Sequence, residues 1–197
     1  MSDRVGVFLD RDGTLNVEVD FLCSPDELQI IDGAPAAVAQ LNRQGIITCV
    51  ISNQSGVARG FLTEADLAVI HARLQEEFRA GGARFDRIFY CPHHPTEGIA
   101  PYNIDCECRK PKPGMLVQGA NEFHLDLHRC FVVGDSVVDM QAGNAVGATT
   151  ILVQTGYGKQ SLQTCREQNI PVAHVAPSVV EAIDFILDLV RRRTTVS

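Results

Sequence analysis

Short apolar runs alternate with helix-like segments along most of this chain, and this alternation restricts its possible folds more than any other feature. The runs are rich in β-branched residues and comprise residues 5–9, 46–51, 87–90, 130–133 and 149–153. Strands that are apolar throughout must be covered on both faces, which is typical of a parallel sheet between two layers of helices. The pattern therefore predicts an α/β, Rossmann-like, doubly wound and mainly parallel sheet with helices on both faces.

The helix-like segments carry ordinary start and stop signals. They comprise residues 33–44, 63–80, 115–123, 137–145 and 178–192. Thr63 is well suited to cap the second segment, whose apolar residues recur at helical spacing. In parallel sheets of this kind the functional site lies beyond the carboxyl ends of the strands. The residues that follow each strand are therefore the ones to search for chemistry.

Length and charge narrow the class of protein. The chain has 197 residues and a formal net charge of −7. We predict a single domain, residues 1–197, with no general attraction for nucleic acid or an anionic membrane. Because the sequence has neither a long apolar span nor a signal peptide, we expect a cytoplasmic protein. It shows no obvious apolar interface stripe, so we expect a monomer that binds a small-molecule phosphorylated substrate.

The first strand-like run ends in an acidic motif with the sequence LDRDGTL. Asp10 and Asp12 lie two residues apart at the carboxyl end of a strand, where their charges repel unless a cation lies near. Mg²⁺ suits this place because it prefers oxygen ligands and keeps room for a substrate phosphate. A plain acidic turn is the alternative. The full Asp-x-Asp-Gly-Thr string is uncommon by chance and favours a magnesium site.

Three further polar elements accompany the later strands. Ser52 begins a loop whose hydroxyl and backbone N–H groups could hold a phosphate. Residues 108–114 bring three cations into an acidic protein, and Asp135 supplies another carboxylate, while Asp139 is better placed to orient a neighbour. Each element alone is more simply an ordinary turn or a solvated loop. Together they collect metal ligands, phosphate donors and a cation at one edge of one sheet.

These four elements, in this order, resemble the haloacid dehalogenase superfamily of phosphatases over most of the chain. The resemblance implies that Asp10 is the nucleophile, forming a phospho-aspartate, and that Asp12 is the general acid–base. It also implies that Ser52 and Lys110 hold the transferred phosphoryl group. Mg²⁺ would be bound by Asp10, the backbone carbonyl of Asp12, and Asp135. A dehalogenase is a weaker alternative because it would not need the magnesium set.

Three of the seven cysteines cluster together with histidine in residues 91–114. An odd number of cysteines in a chain without an export signal argues against a disulfide framework. Three thiolates and an imidazole instead predict a closed, structural zinc site, with the ligands Cys91, His93, Cys106 and Cys108. His94 is the alternative imidazole ligand, and free surface thiols are the alternative reading. Zinc would hold the long loop that presents Arg109 and Lys110.

Longer strings narrow the resemblance, namely DRDGTLN, SNQSGVARG, CPHHP and CECRKPKPGM. They resemble the heptose 1,7-bisphosphate phosphatases of this superfamily, which remove the 7-phosphate and have no large cap domain. Histidinol-phosphate phosphatases share much of the pattern and remain the alternative. The resemblance implies a substrate pocket formed by Glu18, Val19, Asp20, Phe21, Ser52, Asn53, Gln54, Ser55, Arg109, Lys110 and Ser136. Arg109 would contact the substrate beyond the reacting phosphate. Ser136 stands where these enzymes commonly have a lysine.

Two alternatives come from other functional classes. A phospho-receiver protein also carries acids and a lysine around a parallel sheet, but it does not need the Asp12 acid–base or a zinc loop. A non-catalytic, zinc-stabilised phosphate-binding module would have the same motifs and release no phosphate. Phosphate release separates both alternatives from a phosphatase.

Overall fold

The structure is a computed structural model that describes residues 4–195, with side chains described as far as residue 193. Its sheet consists of β1 (Gly6–Leu9), β2 (Ile47–Asn53), β3 (Arg87–Cys91), β4 (Phe131–Gly134), β5 (Thr149–Val153) and β6 (His174–Ala176). The helices are α1 (Ala34–Arg43), α2 (Ser55–Ala58), α3 (Glu64–Ala80), α4 (Gly114–Phe123), α5 (Val137–Ala145), α6 (Gly158–Glu167) and α7 (Val179–Thr195).

The strands form one parallel sheet in the order β3-β2-β1-β4-β5-β6. The chain order reverses direction around β1, which lies between β2 and β4. In doubly wound sheets this reversal opens a crevice at the carboxyl ends of the strands. The predicted fold class is confirmed, and the crevice lies where Asp10 follows β1.

Side chains alternate between two apolar layers along the central strand. Val7 and Leu9 are fully buried in a core beneath α1, α3 and α7. Phe8, between them, is buried in a second core with residues of α4 and α5. Because successive side chains of a strand point to opposite faces, an uninterrupted apolar strand supports helices on both sides. The predicted two-sided covering is confirmed.

The predicted helices and strands recur with ends shifted by at most three residues. Thr63 caps α3 as predicted, with its hydroxyl accepting from the Asp66 N–H at 3.1 Å. The sequence reasoning missed α2, α6 and β6. The helix α6 is mostly polar and buries only Gly158, Ser161 and Cys165, and β6 has three residues. Such weak or short patterns carry little periodic signal.

Long connections after β1 and β3 contain little regular structure. The first holds a single 3-10 turn, Pro25–Glu27, and residues 92–113 between β3 and α4 form neither helix nor strand. Within residues 4–195 there is thus no large cap domain, as predicted. No helix in this described part of the chain is both long and apolar enough to cross a membrane. The single-domain prediction extends to residues 1–3 and 196–197, which lie outside the described residues.

Candidate active site

A buried lysine joins two carboxylates at the carboxyl edge of the sheet. The Lys110 ammonium donates to Asp10 Oδ1 at 2.7 Å, to Asp139 Oδ1 at 2.6 Å and to the carbonyl of Ile51 at 3.0 Å. These contacts bring together the end of β1, the first turn of α5 and the loop before α4. Burial alone lowers the pKa of Lys110, but the charges of Asp10 and Asp139 outweigh it and raise the pKa above its usual value.

Asp135 completes the acidic cluster after β4. One carboxylate oxygen from each of Asp10, Asp135 and Asp139 lies within 4.8 Å of the others. The backbone N–H of Tyr157 donates to Asp135 Oδ2 at 2.7 Å. Gly13 passes so close that a Cβ atom there would collide with the Asp135 carboxylate, and its φ of +75° also favours glycine.

Three buried carboxylates facing one ammonium leave an excess of negative charge. Burial raises the pKa of Asp10 well above its usual value, against the opposing effect of Lys110. Burial, followed by the charge of Asp139, raises the pKa of Asp135 to about 7. Such a site gains stability either from bound protons or from a cation. The carboxylate oxygens of Asp10 and Asp135 are ligands that suit Mg²⁺, whereas both oxygens of Asp139 accept hydrogen bonds from protein groups.

The Asp12 carboxylate lies outside this cluster, although sequence spacing suggested that it would repel Asp10. It accepts from the fully buried Arg11 guanidinium at 2.7 Å, from Asn16 Nδ2 at 3.0 Å and from Gln54 Nε2 at 2.9 Å. Burial raises the pKa of Asp12, but Arg11 and these donors outweigh burial and lower the pKa. Arg11, the residue before Asp12, thus offsets the negative charge of Asp12, a role that the sequence suggested for a metal ion.

The side chains of Asn53 and Gln54 bind protein groups in this structure. Asn53 Oδ1 accepts from the Lys110 backbone N–H, and Asn53 Nδ2 donates to the Lys110 carbonyl, both at 3.0 Å. Gln54 Nε2 donates to Ser52 Oγ at 2.7 Å as well as to Asp12. The end of β2 and Gln54, which follows it, therefore set the positions of Lys110 and Asp12 relative to Ser52.

A cleft of about 170 Å³ lies over these groups. Of the residues predicted for the site, it is lined by Asp10, Asp12, Glu18, Asp20, Ser52, Asn53, Lys110, Asp135 and Ser136. A smaller pocket beside it is lined by Phe21, Gln54 and Ser55 among others, and Val19 lines a separate cavity. Arg109 does not line the cleft, and its Nη1 donates to the carbonyl of His93 at 3.1 Å.

Tyr157 also lines the cleft and was missed by the sequence reasoning. Its hydroxyl donates to Asp20 Oδ1 at 2.8 Å, and this bond is the first cause of a pKa raised to about 12. The two residues are 137 positions apart, and Tyr157 lies in a loop without a recognised motif. Its position after β5, another strand ending at the same edge, was the one signal that could have indicated it.

The cysteine–histidine cluster forms at the base of the loop after β3. The sulfur of Cys106 lies 3.4 Å from that of Cys91 and 3.3 Å from that of Cys108. His93 Nδ1 lies 3.7 Å from the Cys91 sulfur and 3.4 Å from the Cys108 sulfur. A tetrahedral zinc site needs about 3.8 Å between sulfurs and about 3.6 Å between sulfur and nitrogen. The four side chains are close to that arrangement, which fits zinc.

His94, the alternative ligand, is not part of the cluster. Its Nδ1 accepts from the backbone N–H groups of Thr96 and Glu97. The imidazole that lies with the three cysteine sulfurs is that of His93. None of the seven cysteines, all of which lie in the described residues, is in a disulfide. The absence of a disulfide framework agrees with the expectation from their odd number.

Comparison with known proteins finds relatives that match most of this chain. A family model described as HAD-hydrolase-like matches residues 107–182. The D-glycero-beta-D-manno-heptose-1,7-bisphosphate 7-phosphatase of Pasteurella multocida is 44% identical over 154 residues, covering 78% of this chain and 83% of the relative. The enzyme of the same name from Escherichia coli K12 is 39% identical over 151 residues, covering 76% and 79% respectively.

A solved structure resembles the fold over almost the whole chain. It is the D,D-heptose 1,7-bisphosphate phosphatase from B. bronchiseptica complexed with magnesium and phosphate, with a TM-score of 0.83 and 35% sequence identity. The match covers 94% of this chain and 98% of that one. The similarity therefore extends over nearly the whole fold.

Proposed function

Because the chain belongs to the HAD-like hydrolase family of heptose-bisphosphate phosphatases, we propose that it removes the 7-phosphate of D-glycero-D-manno-heptose 1,7-bisphosphate. The reaction is a Mg²⁺-dependent hydrolysis that proceeds through a phospho-aspartate. The proposal rests on the sequence relatives and on the magnesium and phosphate named with the similar structure. It agrees with the chemistry of the acidic edge.

In the structure, the observation that carries the proposed mechanism is the contact of Lys110 with both Asp10 and Asp139. A nucleophilic carboxylate must approach a phosphate of the same charge sign, and a buried ammonium at 2.7 Å reduces that repulsion. Lys110 holds Asp10 Oδ1, so the other oxygen of Asp10 is the one we assign to attack. Phosphoryl transfer depends mainly on such positioning and charge neutralisation.

The reaction divides into two displacements. In the first, an Asp10 oxygen forms a bond to phosphorus, the ester P–O bond breaks, and protonated Asp12 gives its proton to the leaving sugar oxygen. In the second, water attacks phosphorus, Asp12 takes a proton from the water, and the Asp10 carboxylate leaves as inorganic phosphate is released. Division of a difficult hydrolysis into two steps lowers each barrier. A positioned acid–base typically contributes about 10²- to 10⁴-fold.

Arg11 favours one of the two protonation states that Asp12 must adopt. Its guanidinium stabilises the ionised carboxylate, which is the state that accepts the proton of the attacking water. Gln54 donates to the same carboxylate and to Ser52, which we assign to the transferred phosphoryl group. Asp12 and Ser52 are thereby held at a constant separation.

Magnesium would be held by Asp10, Asp135 and the backbone carbonyl of Asp12. When bound, it neutralises charge on the phosphoryl oxygens. We also propose that zinc binds Cys91, His93, Cys106 and Cys108 in a structural role, because all four tetrahedral positions are filled by protein. Zinc would hold the loop from which Arg109 and Lys110 project.

We propose Glu18 to Phe21, Ser55, Arg109 and Ser136 as further substrate contacts. The monomeric state and the cytoplasmic location stay predictions.

The decisive experiment measures phosphate release with Mg²⁺ from both anomers of heptose 1,7-bisphosphate and from histidinol phosphate. We expect kcat/KM for one heptose anomer to exceed that for histidinol phosphate at least about tenfold. A preference for histidinol phosphate would overturn the substrate and leave the mechanism in place. Absence of release from all three substrates, with protein that contains both metals, would instead support a phosphate-binding module. A stable phosphoprotein would support the phospho-receiver alternative.

A further inference from the structure

Two cavities meet at a wall formed by Tyr157 and the loop after β1. The active-site cleft has a volume of about 170 Å³, and a second cavity of about 500 Å³ lies beside it. Glu18, Asp20 and Tyr157 line both of them. Because the three residues border both spaces, they form the partition between the cleft and the larger cavity.

The partition is closed by one hydrogen bond between distant parts of the chain. The Tyr157 hydroxyl donates to Asp20 Oδ1 at 2.8 Å, across the gap between the loops that follow β1 and β5. Tyr157 is anchored at its backbone, where its N–H donates to Asp135. The neighbouring Thr155 hydroxyl donates to the carbonyl of Gly13. The backbone of this segment is thus fixed at the acidic edge. The side chain of Tyr157, a residue that is 46% exposed, reaches to Asp20.

The second cavity differs in chemistry from the cleft. Apart from the shared partition, its side chains are mainly apolar, with contributions from Val17, Val19 and Ile31. The carboxylates of Glu18 and Asp20 belong to the shared partition. An apolar group would be stabilised by burial against the aliphatic side chains, whereas a second phosphate would find no cationic side chain there, unlike in the cleft, which Lys110 lines.

We propose that Tyr157 is a specificity-determining residue that closes the cleft against this apolar cavity. This inference rests on the proposed function, because it concerns the substrate of the same site. With the Asp20–Tyr157 bond formed, the remaining atoms of a phosphate ester must stay in the cleft, which Asn53 and Ser136 also line. Phosphate esters with bulky apolar groups therefore cannot extend into the larger cavity. A polar sugar bisphosphate loses no favourable contact, because it does not use that cavity.

The test compares the wild type with Tyr157→Ala and Tyr157→Phe on two substrates, heptose 1,7-bisphosphate and 1-naphthyl phosphate. The ratio of kcat/KM for naphthyl phosphate to that for the heptose should rise at least about tenfold in Tyr157→Ala, within the range that apolar contacts give. The change should be mainly in KM. Tyr157→Phe keeps the ring and loses the bond, so it should raise the ratio by a smaller factor.

Asp20→Asn is the matched variant for the bond itself. The Asn side-chain carbonyl can still accept from the Tyr157 hydroxyl, and asparagine tolerates the φ of +59° at this position. Asp20→Asn should therefore change the ratio less than Tyr157→Phe does. A larger change than in Tyr157→Phe would mean that the charge of Asp20, and not its bond to Tyr157, sets the preference.

An equal loss on both substrates in Tyr157→Ala would overturn the inference and leave Tyr157 a purely structural residue. The wild-type measurement separates this result from failure of the proposed function. If the wild type does not hydrolyse the heptose substrate preferentially, the proposed function fails, whatever the variants do. If it does, the variant ratios alone decide the role of Tyr157.

Discussion

The acidic edge of the sheet and the cysteine–histidine cluster are two groups of side chains that could hold a metal ion. Regular secondary structure positions the first, and an irregular loop positions most of the second. At the acidic edge, Asp10 and Asp135 follow buried strands, and the buried Asp139 lies in the first turn of α5. Lys110 pairs with two of these carboxylates, Asp10 at 2.7 Å and Asp139 at 2.6 Å. The cluster instead follows the edge strand β3 and depends mainly on a loop without regular structure, residues 92–113.

This difference in structural support indicates which of the two sites needs a metal ion for its structure. Backbone pairing on both sides of β1 keeps the acidic edge in place, and Lys110 offsets part of its charge. In the cluster, three sulfurs and one ring nitrogen lie within 4.8 Å of one another, and deprotonated thiols at that distance would repel without a cation. We expect metal to act in catalysis at the first site and in folding of the loop at the second.

The two sites are also joined by the chain itself. Cys108 belongs to the cluster, and Lys110, two residues later, reaches the acidic edge. Asn53 binds the Lys110 backbone from the end of β2, so Lys110 is held from the sheet as well as from the loop. The cysteine–histidine cluster and the sheet therefore both position Lys110, and variants can separate their contributions.

The largest effect should follow a change at the acidic edge that leaves the fold intact. Asp10→Asn removes the proposed nucleophile while it keeps the size of the side chain, and we expect kcat to fall at least about a thousandfold. Phosphate release and thermal unfolding would be measured on the same preparation. Asp32→Asn, at an exposed position, is the control. Retention of more than a tenth of the activity in Asp10→Asn would contradict the nucleophile assignment.

The next effect should come from the cluster and should reach activity through the loop. Cys106→Ser removes one of four ligands, and we expect loss of bound zinc, a lower Tm, and a fall in kcat/KM of about 10- to 100-fold. Metal analysis, thermal unfolding and phosphate release would be compared with Cys23→Ser, an exposed cysteine outside the cluster. Unchanged zinc content in Cys106→Ser would refute the ligand assignment. Unchanged activity after zinc loss would show that the sheet alone positions Lys110.

A smaller effect should follow removal of the support from the sheet. Asn53→Ala deletes two hydrogen bonds to the Lys110 backbone, each worth about 1 kcal/mol, and we expect kcat to fall about tenfold or more. Zinc content should stay at the level of the wild type, which distinguishes this variant from Cys106→Ser. Asn103→Ala, in the same loop and exposed, is the control. A change confined to KM would indicate that Asn53 contacts substrate and does not position Lys110.

The last effect is on stability in acid and not on activity. His71 is buried beside Arg11, with its Nε2 3.4 Å from the Arg11 Nη1. Burial first, and then the Arg11 charge, lowers the pKa of His71 to about 3. Below the unfolded-state pKa of about 6.5, the unfolded chain binds a proton at this residue that the folded protein does not. The free energy of unfolding should therefore fall as pH decreases from about 6.5 towards 3.

At pH 5 this contribution amounts to about 2 kcal/mol. His71→Gln should make the free energy of unfolding less sensitive to pH between about 6.5 and 5, as followed by urea unfolding. His128→Gln, at an exposed histidine, should keep the pH dependence of the wild type. If the two variants and the wild type respond equally to pH, the buried neutral state of His71 is wrong.

Much of the fold and the location of the candidate site could be predicted from local patterns. Apolar strands separated by amphipathic helices predicted the two-sided parallel sheet, and the acids after β1 and β4 were expected at one edge. The spacing of three cysteines and a histidine indicated a group that the structure does bring together. Weakly periodic segments such as α6 and β6 were missed because few of their residues are buried.

Side-chain partners could not be predicted in the same way. Asn53 and Gln54 were expected to bind substrate, a role that stays a prediction, whereas the structure pairs them with Lys110 and with Asp12 and Ser52. Asp12 was expected to repel Asp10, whereas it pairs with Arg11. In each case a donor and an acceptor competed with other groups within a few ångströms, and sequence spacing does not describe that competition.

The sequence by itself determined which side chains follow which strand, because the parallel arrangement sends all carboxyl ends to one edge. It also determined the charge excess there and the ligand types of the cluster. Only the tertiary structure decided that Lys110 bridges Asp10 and Asp139, and that Tyr157 meets Asp20 from 137 residues away. The physical reason is that periodicity arises from contacts along one element, whereas these bonds depend on the paths of loops that meet only after the sheet has formed.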